Sequence, residues 1–147
     1  MFIDTPIGSV KIDGENNKVT TIMFCERRGE EKSSEFLREC AQEIEEFFNR
    51  RREGFSFSVN PCGTEFQRKV WMEMMNIPYG ETVSYSVLAE RIGMPEATRA
   101  VANACGKNPI VIAIPCHRVI CKDGSLGGFS CGISRKVFLL DIEKNKN

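Results

Sequence analysis

An apolar run, Ile110 to Ile114, leads without a break into Pro115-Cys116-His117-Arg118. Burying a thiol, an imidazole and a guanidinium at the end of such a run is costly unless they are paired. A cysteine becomes a strong nucleophile when a base or a positive charge favours its thiolate. His117 can be that base, directly or through a water, and Arg118 adds positive charge nearby. For Cys-His-Arg without further context, a structural cluster is the commoner use. Downstream, Asp123 to Gly132 is rich in glycine. Such a loop can bring backbone amides close to a flat ligand, or it can be a plain surface loop. Arg135 to Glu143 reads as a closing helix with apolar Val137, Leu139, Leu140 and Ile142. Its Glu143 either orients His117 or is solvated.

These groups need elements to hold them. Ser9–Asp13 alternates polar and apolar residues, as a half-buried strand does. Gly14-Glu15-Asn16-Asn17 has turn chemistry, and Val19–Phe24 completes a hairpin. From Ser33 the period becomes helical: Phe36, Leu37, Cys40, Ile44, Phe47 and Phe48 share one face. Arg50, Arg51 and Arg52 follow, where a helix C-terminus favours cations; a DNA patch is the less common use of such a run. Phe55–Val59 alternates again and suggests an added strand. Pro61-Cys62-Gly63 marks a boundary between residues 1–60, a small α+β unit, and residues 61–147.

Beyond it, Thr64 to Gln67 fits a capping box, with Phe66, Val70, Trp71 and Met74 on the buried face of the helix it opens. Pro78-Tyr79-Gly80 ends that helix. Ser84 caps a second helix through Ile92, which Gly93 stops. Pro95 starts a third, Glu96 to about Cys105, closed by Gly106. Two short helices around a glycine turn have the helix-turn-helix outline. The third helix is nearly bald: Ala97, Ala100, Ala102 and Ala104 surround one large cation, Arg99. A major-groove reading helix carries several long polar side chains. A bald one can approach a backbone closely in the minor groove, or pack against another helix.

The 147 residues make one ordinary domain, or one with a small companion. With 41% hydrophobic and 27% charged residues, the chain reads as soluble and globular. No apolar run approaches the ~20 residues of a membrane helix, and no export signal stands at the N-terminus, so the expectation is a cytoplasmic protein with reduced thiols. Seven cysteines and one histidine, with no Cys-x-x-Cys pair, favour neither a disulfide framework nor a zinc site. Net charge is zero, but residues 1–61 carry 9 basic and 12 acidic side chains against 11 and 8 in the remainder. Any DNA contact therefore falls to the C-terminal part.

Taken together, Phe66-Gln67-x-Lys69-Val70-Trp71, Gly80-Glu81-Thr82-Val83-Ser84-Tyr85, Arg99-Ala100-Val101, Asn108-Pro109 and Ile114-Pro115-Cys116-His117-Arg118-Val119 closely resemble the O6-alkylguanine-DNA alkyltransferase family. The likeness covers about residues 61–143. It implies an α+β chain, a ribonuclease-H-like companion domain followed by a winged helix-turn-helix-like domain. It also implies repair of double-stranded DNA by irreversible, stoichiometric transfer of an alkyl group from the O6 atom of guanine to Cys116, with no cofactor and in a monomer. His117 would act as base through a water, with Glu143 orienting it. Asn108 would be the hinge between recognition helix and active turn. Arg99 would take the place of a flipped base, with Ala100 and Ala102 against the DNA. Tyr85 would donate to the purine N3. The backbones of Cys116 and Val119 would meet the guanine edge, the Ser130 amide would reach O6, and Lys136 would support the site.

Two departures stand out: Phe129 occupies a loop position where many relatives have tyrosine, and the N-terminal part lacks the histidines that bind zinc in some of them. Cys105, Cys121 and Cys131 read as packing residues. Three other functions compete. A lesion-flagging module would lack the acceptor cysteine. A helix-turn-helix regulator would carry a richer reading helix. A cysteine hydrolase would need a base from elsewhere in the fold.

Overall fold

The computed structural model describes residues 1–26, 29–127 and 129–144. Three antiparallel strands open the chain: β1 (Phe2–Thr5), β2 (Gly8–Glu15) and β3 (Lys18–Phe24). The hairpin turn is tighter than the sequence suggests, because Gly14 and Glu15 belong to β2. Asn16 and Asn17, both at positive φ, make the turn alone, as a two-residue hairpin loop requires. β1 carries no strong alternation and was not anticipated; it exists through pairing with β2 from Phe2↔Lys11 to Thr5↔Gly8. Helix α1 (Glu35–Phe48) is capped by the Ser34 hydroxyl and buries Leu37, Cys40, Ala41, Ile44 and Phe47. Of the segment 55–59, only Ser58–Val59 forms a strand, β4, parallel to β3. Arg52 pairs with Glu43 and Glu46 of α1.

The capping box at Thr64 is present in both directions and starts α2 (Glu65–Met74). Gly63 is required there, because a Cβ would sit 2.5 Å from the Trp71 ring. A two-residue strand, β5 (Val83–Ser84), runs straight into α3 (Tyr85–Arg91), with Ser84 as its cap. The next helix, α4 (Thr98–Gly106), begins two residues later than expected. Pro95 to Ala97 form a turn, with Ala97 N–H bonded to the Met94 carbonyl, and no side chain caps the helix. The chain ends in β6 (Val119–Ile120) and α5 (Ile133–Lys144). Of the apolar residues of α5, Leu139 and Ile142 are buried and Val137 is exposed.

One buried cluster runs through both sides of position 61, joining Val10, Ile12, Ile22 and Phe47 to Val70, Trp71, Leu88 and Ile114. Contacts from the N-terminal sheet reach both the segment leading to Cys116 and helix α5. Ile22 N–H of β3 donates to the Pro109 carbonyl, and the Ile22 carbonyl accepts from Val111 N–H. The Arg135 guanidinium of α5 donates to the Ile7 and Cys131 carbonyls and lies 4.3 Å over the Phe24 ring. In the other half, Trp71 Nε1 donates to the Ala104 carbonyl at 2.8 Å, fixing the end of α4 on α2. Trp71→Phe should lower stability by about 1–3 kcal/mol, as expected for a lost buried bond, measured by urea denaturation.

Candidate active site

The segment between α4 and Cys116 is shaped by one side chain. Asn108 is buried at the end of α4; its Oδ1 accepts from Ile110 N–H at 2.9 Å and its Nδ2 donates to the Ile114 carbonyl at 2.8 Å. Within that bracket the backbone turns sharply. Ala113 N–H bonds to the Val111 carbonyl across Ile112, whose φ is +74°. A β-branched residue there is strained. Cys116 N–H then bonds to the Ile114 carbonyl around Pro115, at φ −81° and ψ 66°, the three-residue turn that such dihedrals define. Cys116–Arg118 form a single 3-10 turn. β6 follows and pairs in parallel with β5, Val83↔Val119 and Ser84↔Ile120. That pairing brings the start of α3, and with it Tyr85, beside the cysteine turn.

Behind the turn lies a buried charge network. Glu143 of α5 is 1% exposed. Its Oε2 meets His117 Nε2 at 2.6 Å, and both oxygens accept from Arg118, at 2.8 and 2.9 Å. Arg118 also donates to the Ile77 carbonyl at 2.7 Å, and Gly80 N–H reaches Glu143 at 3.3 Å. Burial works to raise the Glu143 pKa, but the bonds from His117 and Arg118 outweigh it and hold it at about 2. His117 is pushed the other way: burial lowers its pKa below 6.5 despite Glu143, so the ring is neutral. With Nε2–H donated to the carboxylate, Nδ1 carries the lone pair. Nδ1 is buried and has no partner among the described residues.

Arg118 was expected to favour the Cys116 thiolate. Its guanidinium is instead committed to Glu143 and Ile77, and the cation acting on the thiol is Lys136. The Lys136 ammonium is itself buried, donating to the Val119 carbonyl at 2.7 Å and the Leu126 carbonyl at 2.6 Å. Burial nevertheless dominates at Cys116 and pushes the thiol up to about 12, against the lowering effects of Asn108 and Lys136. The resting thiol is protonated, so a nucleophile forms only if a base removes the proton.

Cys116 opens on a cavity of about 410 Å³. Tyr85, Phe129 and Ser130 line it from α3 and the glycine-rich loop; Ala102, Asn103, Cys105 and Gly106 line it from α4, and Cys121 completes the wall. Gly127, at φ +67°, lets the loop close on Cys121, where a Cβ would lie 2.8 Å from the sulfur. Gly128, also read as part of that loop, lies outside the described residues. Burial pushes the Tyr85 phenol up to about 12, which keeps it a hydrogen-bond donor. Arg99 and Ala100 are exposed on α4 outside the cavity. Cys105 is buried in the core and donates to Met74 Sδ at 3.5 Å, yet it also faces the cavity, as does Cys121. Asn103 was not singled out from the sequence; its place on the exposed side of α4, one turn after Arg99, was the available signal.

Residues 65–145 match the family described as 6-O-methylguanine DNA methyltransferase, DNA binding domain. The chain is 39% identical to the methylated-DNA–protein-cysteine methyltransferase of Methanosarcina barkeri, over 98% of this chain and 96% of that protein. It is 42% identical to the probable methylated-DNA–protein-cysteine methyltransferase of Acanthamoeba polyphaga mimivirus, over 97% and 95%. The chain belongs to the methylated-DNA–protein-cysteine methyltransferase family. Its fold also superposes on Mycobacterium tuberculosis OGT in complex with DNA, with a TM-score of 0.89 and 37% identity, over 99% of this chain and 92% of that one. Family members of this kind share the mixed α+β architecture seen here.

Asn108→Ala would leave Ile110 N–H and the Ile114 carbonyl unpaired in the interior. A stability loss of about 1–3 kcal/mol for each group is expected, read as a lowered melting temperature. Asn108→Asp keeps the acceptor for Ile110 but sets a carboxylate oxygen against the Ile114 carbonyl, so it should destabilise as well.

Proposed function

We propose that this chain repairs double-stranded DNA by moving an alkyl group from the O6 atom of guanine to Cys116, once per molecule. The carrying observation is a buried, protonated thiol at the floor of a base-sized cavity, followed in sequence by a neutral histidine with an unused buried nitrogen. His117 Nδ1 takes the Cys116 proton through a bridging water, and Glu143, fixed by Arg118, holds the ring and stabilises the cation that forms. The sulfur attacks the alkyl carbon, the S–C bond forms as the C–O6 bond breaks, and the electron pair leaves on guanine. Tyr85 donates to the purine N3 and the Ser130 amide to O6, which makes guanine a better leaving group. The Val119 carbonyl, steadied by Lys136, faces the guanine edge. The thioether product has no group placed to cleave it, so turnover stops at one. No step calls for a cofactor or metal.

The base reaches the cavity by leaving the duplex, at a cost of roughly a few kcal/mol. Exposed α4, with Ala100 and Ala102, suits close approach to a minor groove, and Arg99 fills the gap left in the stack. In this reading residues 61–147 are the DNA-binding and acceptor domain, winged helix-turn-helix-like with β5 and β6 beside α3. Residues 1–60 are a ribonuclease-H-like companion, a reading supported by three antiparallel strands, a helix and a parallel fourth strand. The protein works as a monomer in the cytoplasm. Among the described residues, no helix is long and apolar enough to cross a membrane.

Intact-protein mass after mixing with duplex DNA bearing one O6-methylguanine should rise by one methyl group, mapped to Cys116, and stop at one equivalent. Cys116→Ala should show no gain while still binding the DNA; residual transfer in that variant would refute the assignment. The rate with O6-benzylguanine should fall at low pH with its midpoint below 6.5, because burial depresses the folded His117 pKa below that value. The loss follows protonation of the base. A decline centred above pH 6.5 would remove His117 from the role of base.

A further inference from the structure

Asn103 occupies the stretch of α4 between two features of the proposed mechanism. It lies one turn after Arg99 on the exposed side of the helix, about 6 Å further along the axis, and it lines the mouth of the cavity with Ala102 and Gly106. Neither Arg99 nor Asn103 has a side-chain hydrogen bond or ion pair among the described residues. The other residues of α4 that point outward near it, Ala100, Ala102 and Gly106, have no polar side-chain atoms. Asn103 is therefore the one side chain on this part of the helix that combines hydrogen-bond donors with an acceptor.

We infer that Asn103 is a specificity-determining residue that reads the minor-groove edge of the base pair beside the flipped nucleotide. This rests on the minor-groove reading above, with Arg99 in the vacated position. The minor groove offers acceptors at every pair, and only G·C adds the guanine N2–H₂ donor. An asparagine amide can donate to purine N3 and accept from guanine N2 at once. At an A·T pair the amide keeps its donation and its oxygen loses a partner. The chain therefore repairs lesions flanked by G·C faster than those flanked by A·T. A wholly bald helix would show no such preference.

The test is the single-turnover rate of methyl transfer from duplexes that differ only in the pairs flanking one O6-methylguanine, with free O6-benzylguanine as the second substrate. Wild type should favour G·C flanks by about 2- to 10-fold, the range of one hydrogen bond. Asn103→Ala should bring the contexts together and slow repair of the G·C-flanked duplex more than the reaction with free O6-benzylguanine, which is not left untouched because the residue also borders the cavity. Alanine is the best helix former, so α4 is preserved, and an unchanged melting temperature verifies that. Asn103→Ser, a shorter donor and acceptor, should keep part of the preference. Equal rates in wild type, an unaltered preference in Asn103→Ala, or an equal loss on O6-benzylguanine would each overturn the inference; the last would place the amide on the flipped base itself. Absence of methyl transfer in every context would instead overturn the function on which it rests.

Discussion

The Glu143 carboxylate is the interaction around which the site is organised. It is almost fully buried, and a lone carboxylate there would be intolerable. It is stable because Arg118 meets it with two parallel N–H bonds and His117 meets it with a third. The same bonds fasten α5 to the 3-10 turn that carries Cys116, and through Arg118 to the Ile77 carbonyl at the end of the α2 region. A planar guanidinium suits this task better than an ammonium, since its fork matches both carboxylate oxygens. The network also sets the histidine tautomer, leaving Nδ1 as the free acceptor.

A division of labour between the charged residues follows. Arg118 is spent on structure, although it sits two residues from the thiol. Lys136, twenty residues away in sequence, is the cation whose field reaches Cys116. Its ammonium is held by the carbonyls of Val119 and Leu126, so it also fixes the two backbone segments that flank the cavity. Burial keeps the thiol protonated in spite of that charge. A buried, protonated thiol is a poor target for stray electrophiles and oxidants. That property suits a protein whose acceptor can be used only once.

The backbone before Cys116 is held in a shape it would not adopt alone. Ile112 in the left-handed region and the tight turn at Pro115 cost energy, and the Asn108 bracket and the β3 contacts at Pro109 and Val111 keep them in place. The companion sheet therefore has a direct mechanical part in the site. It reaches Ile110 and, through Arg135, the loop at Cys131. The buried cluster crosses position 61 for the same reason.

Local chemistry was enough to reveal much of this in the sequence. The Thr64–Gln67 capping box, the Ser84 cap, the Gly93 stop and the helical face of α1 depend on neighbours three or four residues apart, and they formed where read. The cluster Cys116-His117-Arg118 was visible for the same reason, as polar groups placed where an apolar run made them expensive. β1 was not visible, because its pairing with β2 supplies what its own pattern lacks. The start of α4 moved past Pro95 and Glu96 into a turn closed by the bond from Ala97 N–H to the Met94 carbonyl. The exchange of roles between Arg118 and Lys136, and the meeting of Cys105 and Cys121 with Asn103 around one cavity, were decided by the tertiary structure alone. Distances between residues far apart in the chain decide which charge meets which partner, and no periodicity in the sequence encodes them.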